Sequence, residues 1–439
     1  MLTRLRDLVG ALRRALAAGR LEAYRYLRDR REVRRAATRS DAGLRAEVAV
    51  YFPDPPGNLY QLRQWLPILA ELDARHRVAI VCRSLASAEL VEAETDLPVT
   101  VVKAFRELGS LYERVGVKVC LYVNNHRLNF QSLTFADQLH VHLNHGESDK
   151  ISMASNQAKA YDRVFVAGPA ATERYLANLL AFDGSTLVEV GRPQLDLLPP
   201  SRAADGRTVL YAPTWEGGRD EMDYSSVATM GEAIVDGLVS AGWRVVYRPH
   251  PKVGDTDPAA VAADRRIREQ LGAAVDTAPA GRRRRRRGAS LPAAGGQGHR
   301  VSPPEEPFGE AVAEADVVIA DVSSVALDVL PTGKPVVVTR PAGAGGRVVD
   351  TGVTTAAVTY RLDPDDLPGI GGMLEEIVAD DPLRDGRAAA VERFFGDTTP
   401  GASTRRFLAA IDAIVEERDR LVAAKRARLA AREASREAT

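Results

Sequence analysis

The sequence predicts an α/β protein in which two open parallel sheets, each covered by helices, face one another across a central cleft. Three observations lead there. From Glu47 onward, short apolar runs alternate with helical stretches, the pattern of strand–helix–strand units. The same texture appears twice, and Gly191-Arg192-Pro193 with the Pro199-Pro200 pair punctuates the chain near residue 200. The length, 439 residues, is about three times the ~150 of one ordinary domain. A hydrophobic content of 45% supports globular cores and excludes wholesale disorder.

Residues 1–40 read as a basic helical segment. Leu2, Leu5, Val9, Leu12 and Leu16 fall in one stripe at helical pitch, with Arg4, Arg6 and Arg13 beside it, and the segment holds twelve arginines against four acids. Such a stripe suits an amphipathic helix lying in an anionic membrane surface. Packing on the protein's own body, or pairing with a second copy in a homo-oligomer, is the alternative. The charges interrupt any signal-peptide centre, and no apolar run approaches the ~18 residues of a spanning helix.

Residues 41–199 are expected to form the first sheet domain. Its strands are expected at 48–52, 78–82, 99–102, 117–123, 139–143, 164–166 and 187–190, with a helix from Leu59 to about Asp73. Residues 200–385 repeat the scheme, with strands at 208–212, 244–247, 316–320 and 335–339 and helices around 226–241, 258–272 and 323–330. Within that half, 278–307 carries six consecutive arginines (Arg282 to Arg287) and many Gly and Pro without periodicity, so it reads as a disordered insertion or a frameshifted patch. Residues 386–439 read as a charged helical tail, in which Ile411, Ile414, Leu421 and Leu429 are too sparse for a coiled coil.

Charge and cysteine usage narrow the function. The 59 basic and 59 acidic residues balance, but the excess cation sits at one end and in one loop, not across a folded face. Aromatics are 6% and none interleaves the basic runs, which argues against nucleic acid as a partner. Only Cys82 and Cys120 occur, both in strand-like runs, so neither a disulfide framework nor a cysteine metal site is expected. A cytosolic protein is the simplest reading.

Ligands of open parallel sheets bind beyond the carboxyl ends of the strands, and four of those ends carry polar clusters. Asn144-His145-Gly146-Glu147-Ser148-Asp149-Lys150 offers a sharp turn at Gly146 and an imidazole that titrates near neutrality. Tyr211-Ala212-Pro213-Thr214-Trp215 offers a hydroxyl and a flat aromatic surface. In Tyr247-Arg248-Pro249-His250-Pro251 two prolines stiffen a loop that can aim Arg248 and His250 at a common anion. In Val317-Val318-Ile319-Ala320-Asp321-Val322-Ser323-Ser324 a buried strand runs into two serines that open a helix, where free amides attract phosphate. Each cluster taken alone has an ordinary structural reading; their joint occurrence at successive strand ends favours a site. The first strand ends in Pro53-Asp54-Pro55-Pro56-Gly57-Asn58, which reads as a plain turn, with acceptor contact as the alternative.

In this order, the motifs His-Gly, Tyr-Ala-Pro-Thr-Trp, Arg-Pro-His-Pro and Ala-Asp-Val-Val-Ile-Ala-Asp-Val-Ser-Ser resemble those of the CDP-glycerol:poly(glycerophosphate) glycerophosphotransferases of teichoic-acid-type polymer synthesis. The likeness spans roughly residues 135–345. It implies a GT-B-like fold of two Rossmann-like domains and peripheral attachment to the cytoplasmic face of the membrane. The activity it implies is transfer of glycerol phosphate from CDP-glycerol to a lipid-linked acceptor, releasing CMP, with no cofactor beyond the donor. It further implies that His145 deprotonates the acceptor hydroxyl, and that His250, Arg248, Ser323 and Ser324 hold the donor diphosphate. Thr214, with Asp321, would line the donor side, while Asn144, Gly146 and Lys150 support the acceptor side. Where that family reads Trp-His-Gly-Thr-Pro and then Leu-Lys or Met-Lys, this chain has Asn144 before the histidine and Glu147-Ser148-Asp149 after Gly146. The acceptor and the donor's polyol therefore stay open, ribitol phosphate and a sugar phosphate included.

Three rival readings remain. A nucleotide-sugar glycosyltransferase or sugar-phosphate transferase would keep the fold and change the donor. His140-Val141-His142-Leu143-Asn144-His145 approximates the His-x-His-x-Asp-His signature of metallo-β-lactamase-like hydrolases, with Asn144 where the aspartate belongs. An inactive, membrane-attached binding protein is the third.

Overall fold

The computed structural model describes residues 43–150, 153–200, 207–218, 222–272, 298–343 and 354–437. The basic segment 1–40, the arginine run and residues 273–297 around it lie outside the described residues.

Two all-parallel sheets form the frame. The first holds β1 (Val48–Phe52), β2 (Val78–Cys82), β3 (Val99–Val101), β4 (Val119–Tyr122), β5 (Leu139–His142), β6 (Arg163–Val166) and β7 (Leu187–Glu189), in the order 3-2-1-4-5-6-7. The second holds β8 (Thr208–Ala212), β9 (Arg244–Tyr247), β10 (Arg300–Val301), β11 (Val317–Ala320), β12 (Val336–Thr339) and β13 (Tyr360–Leu362), in the order 10-9-8-11-12-13. Helices cover both faces of each sheet, so central strands such as Val-Ala-Val-Tyr-Phe in β1 and Thr-Val-Leu-Tyr-Ala in β8 are buried at every residue. Registers are simple: Val48 of β1 pairs with Val78 on one side and Val119 on the other.

The strand order reverses direction in each sheet between its first strand and a later one, β1 beside β4 and β8 beside β11. At such a switch point the connections leave to opposite faces and open a crevice beyond the carboxyl ends. The molecule therefore has two crevices.

Two strands escape the sequence reading. β10 and β13 are edge strands of two and three residues, too short to show a period. As a result the last ten residues of the expected insertion, 298–307, are folded. His299 is buried and its Nδ1 accepts from Val245 N at 3.1 Å, and Arg300 pairs with Glu306 and Glu314.

The charged tail is also more than a tail. The helix Ala402–Glu437 returns to the first domain and sets Phe407, Leu408, Ile411, Ile414 and Val415 into its core beside Trp65, Leu69 and Phe165. Phe407 lies 5.5 Å from the Trp65 ring and 5.9 Å from Phe165. Steps of three and four residues bring these side chains to one face, and that apolar face stops at Val415; beyond it the helix is charged, and Glu417, Asp419 and Lys425 pair with Arg163, Lys118 and Asp137 of the first domain. The helix Arg384–Phe395 packs on Pro169–Asn178 of the first domain, so the chain ties its two halves together twice.

Candidate active site

The carboxyl ends of the two sheets face each other across a cleft of about 720 Å³. The first domain contributes residues after β1 (Asp54, Asn58), after β4 (Asn124, Asn125, His126) and after β5 (Asn144, His145, Gly146, Ser148 and Lys150), with Tyr60, Gln61 and Gln64 from the helical turns that follow β1. The second contributes Thr214 and Trp215 after β8, Arg248, His250 and Lys252 after β9, and Ser323 and Ser324 after β11.

His145 and His250 meet here from opposite domains, with Tyr60 between them. The Tyr60 ring lies edge-on to both, 6.2 Å from His145 and 4.9 Å from His250. The two imidazoles are held in opposite tautomers. Nδ1 of His145 faces the carbonyl of Val123 at 3.2 Å; a carbonyl only accepts, so Nδ1 carries the hydrogen and Nε2 presents a lone pair. Nδ1 of His250 accepts from the backbone N–H of Lys252 at 3.2 Å, which leaves the hydrogen on Nε2. Desolvation in the cleft holds His145 down at about 4 and His250 at about 3, so both rings are neutral at pH 7. One ring can accept a proton and the other can donate a hydrogen bond.

The loop that carries His145 is built by backbone geometry. Asn144 takes the left-handed conformation (φ 63°), and its own Oδ1 accepts from His145 N at 2.8 Å. Its carbonyl accepts from Trp65 Nε1 at 2.8 Å, and Gln64 Nε2 donates to the carbonyl of His145 at 2.9 Å. Asn144 thus shapes the turn from within. At Gly146 the two domains touch: a Cβ there would stand 2.8 Å from Cβ of Ser324. The residues that replace Thr-Pro face away from the cleft in part. Glu147 pairs with buried Arg174 at 2.8 Å, and Asp149 accepts from N and Oγ1 of Thr355 in the second domain. Only Ser148 of the three lines the cleft. This departure thus forms an internal ion pair and an interdomain tie.

Lys150 spans the cleft, with Nζ 3.2 Å from Thr214 Oγ1 and 4.8 Å from the Tyr224 ring centroid. Burial lowers it to about 8, against the pull of Asp321 and Asp223. Lys252 lies over the Trp215 ring at 4.1 Å, and Trp215 stacks near His250. Ser323 presents a buried hydroxyl without a partner among the described residues, while Ser324 opens a helix only five residues long, Ser324–Asp328. A helix that short has a small dipole, so the expected pull of helix amides on phosphate is weak. The hydroxyls remain.

Two expectations change. Asp321 is fully buried and does not line the cleft; its carboxylate accepts from Thr214 N at 2.7 Å, from Ser226 N at 3.2 Å and from Thr339 Oγ1. Its acceptor sites are spent on fixing the Thr214 loop, so it supports that wall instead of meeting a ligand. Arg248 reaches the cleft wall, but its guanidinium donates to Ser302 Oγ and to Glu306 O at 2.7 Å, with the Glu306 carboxylate at 3.8 Å. Its charge is answered by protein. Of the two cleft lysines, Lys150 meets the Thr214 hydroxyl at 3.2 Å and Lys252 lies 3.7 Å from Asp255 Oδ2.

The sequence reading passed over Tyr60, Gln64, Arg192 and Lys252. Lys252 follows His250 by two residues and could have been read with it. Arg192 reads in the sequence as boundary punctuation, yet it is buried and joins the domains, with Asp328 Oδ2 at 3.2 Å and Gln64 Oε1 at 2.7 Å. Since Gln64 holds the His145 carbonyl, a chain of contacts runs from the Ser324–Asp328 helix to the His145 loop. Tyr60 has no signal of its own, because its partners come from both domains. His140 and His142 do not join the site: His140 meets Tyr122 OH at 2.8 Å and Phe135 O at 3.0 Å, and His142 stacks on Tyr161 inside the first domain. Among the described residues no group of three or more His, Cys, Asp or Glu is placed to hold a metal ion.

No family model matches the sequence, and no curated protein matches it. Solved structures do. The wall teichoic acid polymerase TagF, in a variant soaked with CDPG, superposes with a TM-score of 0.52 at 12% identity, over 84% of this chain and 89% of the other. A UDP-GlcNAc 2-epimerase from Neisseria meningitidis bound to UDP-GlcNAc gives 0.50 at 13% identity, over 83% and 99%. A glycosyltransferase from Rickettsia africae gives 0.50 at 10%, over 84% and 99%. At these identities the likeness is one of fold: two Rossmann-like domains in the GT-B arrangement.

Proposed function

We propose that the protein transfers glycerol phosphate, or a related polyol phosphate, from a CDP-activated donor to a hydroxyl of a lipid-linked acceptor, releasing CMP. The observation that carries the reading is the pair of neutral histidines of opposite tautomer, one from each domain, around Tyr60. Attack on a phosphodiester-like phosphorus needs a base for the incoming hydroxyl and donors for the charge that gathers on the non-bridging oxygens. Nε2 of His145 takes the proton as the acceptor oxygen bonds to the phosphorus that carries the polyol. The anhydride bond to CMP breaks, and CMP leaves with the bridging oxygen. Nε2–H of His250, the ammonium of Lys150 and the hydroxyl of Ser323 donate to the phosphoryl oxygens, and Thr214 holds Lys150 in place. With both rings neutral at pH 7, neither has to shed a proton before the chemistry.

The expected setting is the cytoplasmic face of a membrane, approached peripherally. Support comes from the basic amphipathic pattern of residues 1–20; among the described residues no helix is long and apolar enough to cross a membrane. The deciding experiment incubates the full chain with CDP-glycerol, CDP-ribitol and a UDP-sugar alongside lipid-linked and soluble acceptors. Release of CMP with polyol phosphate on the acceptor is the expected result. Release of UDP with sugar on the acceptor would replace the donor class, and donor binding without turnover would leave a binding protein.

A further inference from the structure

The two histidines cannot share a phosphoryl group while Tyr60 stands where it does. Its ring comes from the first domain and lies edge-on to both imidazoles, 6.2 Å from that of His145 and 4.9 Å from that of His250 across the cleft. A phosphoryl group held by Nε2–H of His250, and attacked by a hydroxyl that hydrogen-bonds to Nε2 of His145, needs oxygens within about 2.7–3.2 Å of each ring. Such a group belongs in the space between the imidazoles, which the phenol ring fills. One has to leave.

The attachments of Tyr60 show which part can move. Leu59 and Leu62 are buried in the core of the first domain, so the backbone of the turn Tyr60–Arg63 is fixed. The phenol oxygen accepts from Gln61 Nε2 at 3.0 Å, a neighbour in its own turn. What meets the second domain is ring hydrocarbon, held against His250 by an edge-to-face contact, and such contacts are weak. The side chain is half-buried, and the cleft of about 720 Å³ gives it room to turn about χ1. The same cleft presents partners for an anion: Nε2–H of His250, the Lys150 ammonium, and the Ser323 hydroxyl, which is buried with no partner among the described residues.

We propose that Tyr60 is a gate: in the empty cleft its ring keeps the place of the reacting phosphoryl group, and it swings aside on its fixed backbone when a phosphorylated donor enters. The proposal rests on the reading of the cleft as a phosphoryl-transfer site and adds how that site admits its donor. Only molecules with the ring withdrawn can take the donor, so the gate lowers the apparent affinity by the fraction that are open. Truncating a gate therefore tightens binding, whereas truncating a residue that grips the substrate, or one that merely supports the fold, weakens it.

Calorimetric titration of the full chain with CDP-glycerol and with inorganic pyrophosphate tests the sign. Tyr60→Ala should bind both about three- to tenfold more tightly, the size of a lost edge-to-face contact. Tyr60→Phe keeps the ring and should stay within about twofold of the unaltered affinity. In steady-state CMP release the alanine variant should lower the donor KM by a similar factor and change kcat less. Weaker or unchanged binding of both ligands in Tyr60→Ala would overturn the gate, as would the failure of every form to bind either one. Pyrophosphate bound more tightly by the alanine variant, with CDP-glycerol bound by no form, keeps the gate and removes the CDP donor. CDP-glycerol bound equally by all three forms keeps the donor and removes the gate.

Discussion

Replacing Gly146 by alanine tests the contact on which the closed cleft depends. The added methyl would lie 2.8 Å from Ser324 Cβ and 3.0 Å from its Oγ, where carbon–carbon contact requires ~3.5–4.0 Å. The walls must part by about 1 Å, and they cannot do so freely, because Arg192 ties the Ser324–Asp328 helix to the His145 loop through Asp328 and Gln64. Overpacking of this kind costs about 1–3 kcal/mol, and a ~1 Å misplacement of reacting groups costs about a hundredfold in rate. Single-turnover CMP release at saturating donor should therefore fall by about a hundredfold in Gly146→Ala, with an intact fold by circular dichroism. Gly146 sits at φ 156°, so backbone strain is a second source of loss. The double variant Gly146→Ala/Ser324→Gly separates the two, because it removes the opposing side chain and leaves the strain; most of the rate should return. A single variant within about twofold of the unaltered protein would refute the argument, as would a double variant no faster than the single.

Three more outcomes follow from the same geometry. His145→Gln should lower kcat by ~10²–10⁴-fold while moving the donor KM by only a few-fold, read in steady-state CMP release; an equal loss in His250→Gln kcat with a raised donor KM would mark the phosphate-side ring. Lys150 is lowered to about 8, so its ammonium is present below that pH and lost above it. Donor affinity should fall as pH rises from 7 to 9, and Lys150→Arg should move that fall to higher pH in a calorimetric series. Phe407→Ala should cost ~3–5 kcal/mol in urea unfolding of the first domain, because the ring is wholly buried between Trp65 and Phe165.

Alternation of apolar runs with helical stretches was enough to read the parallel sheets, since a strand buried on both faces must be apolar throughout, as Val48–Phe52 and Thr208–Ala212 are. The polar ends of those strands were equally visible, because residues beyond a carboxyl end are released from the burial that governs the strand; hence His145, Thr214, His250 and Ser323 all stand in the cleft. The roles of Asp321 and Arg248 were not legible. Whether a charged side chain at a strand end faces a ligand or answers its own protein depends on the loop opposite: Ser226 and Thr339 for one, Ser302 and Glu306 for the other. Nor could a linear pattern show that Phe407 completes the first domain from more than 200 residues beyond β7, or that Tyr60 stands between two histidines of different sheets. Local periodicity is written within a few residues and settles each element by itself. Partnership across the cleft is decided only when the two sheets close on each other, whereas the tautomers of His145 and His250, and so the division between proton acceptor and donor, are set inside each domain, by the carbonyl of Val123 at a neighbouring strand end and by the amide of Lys252 as the loop after His250 folds back.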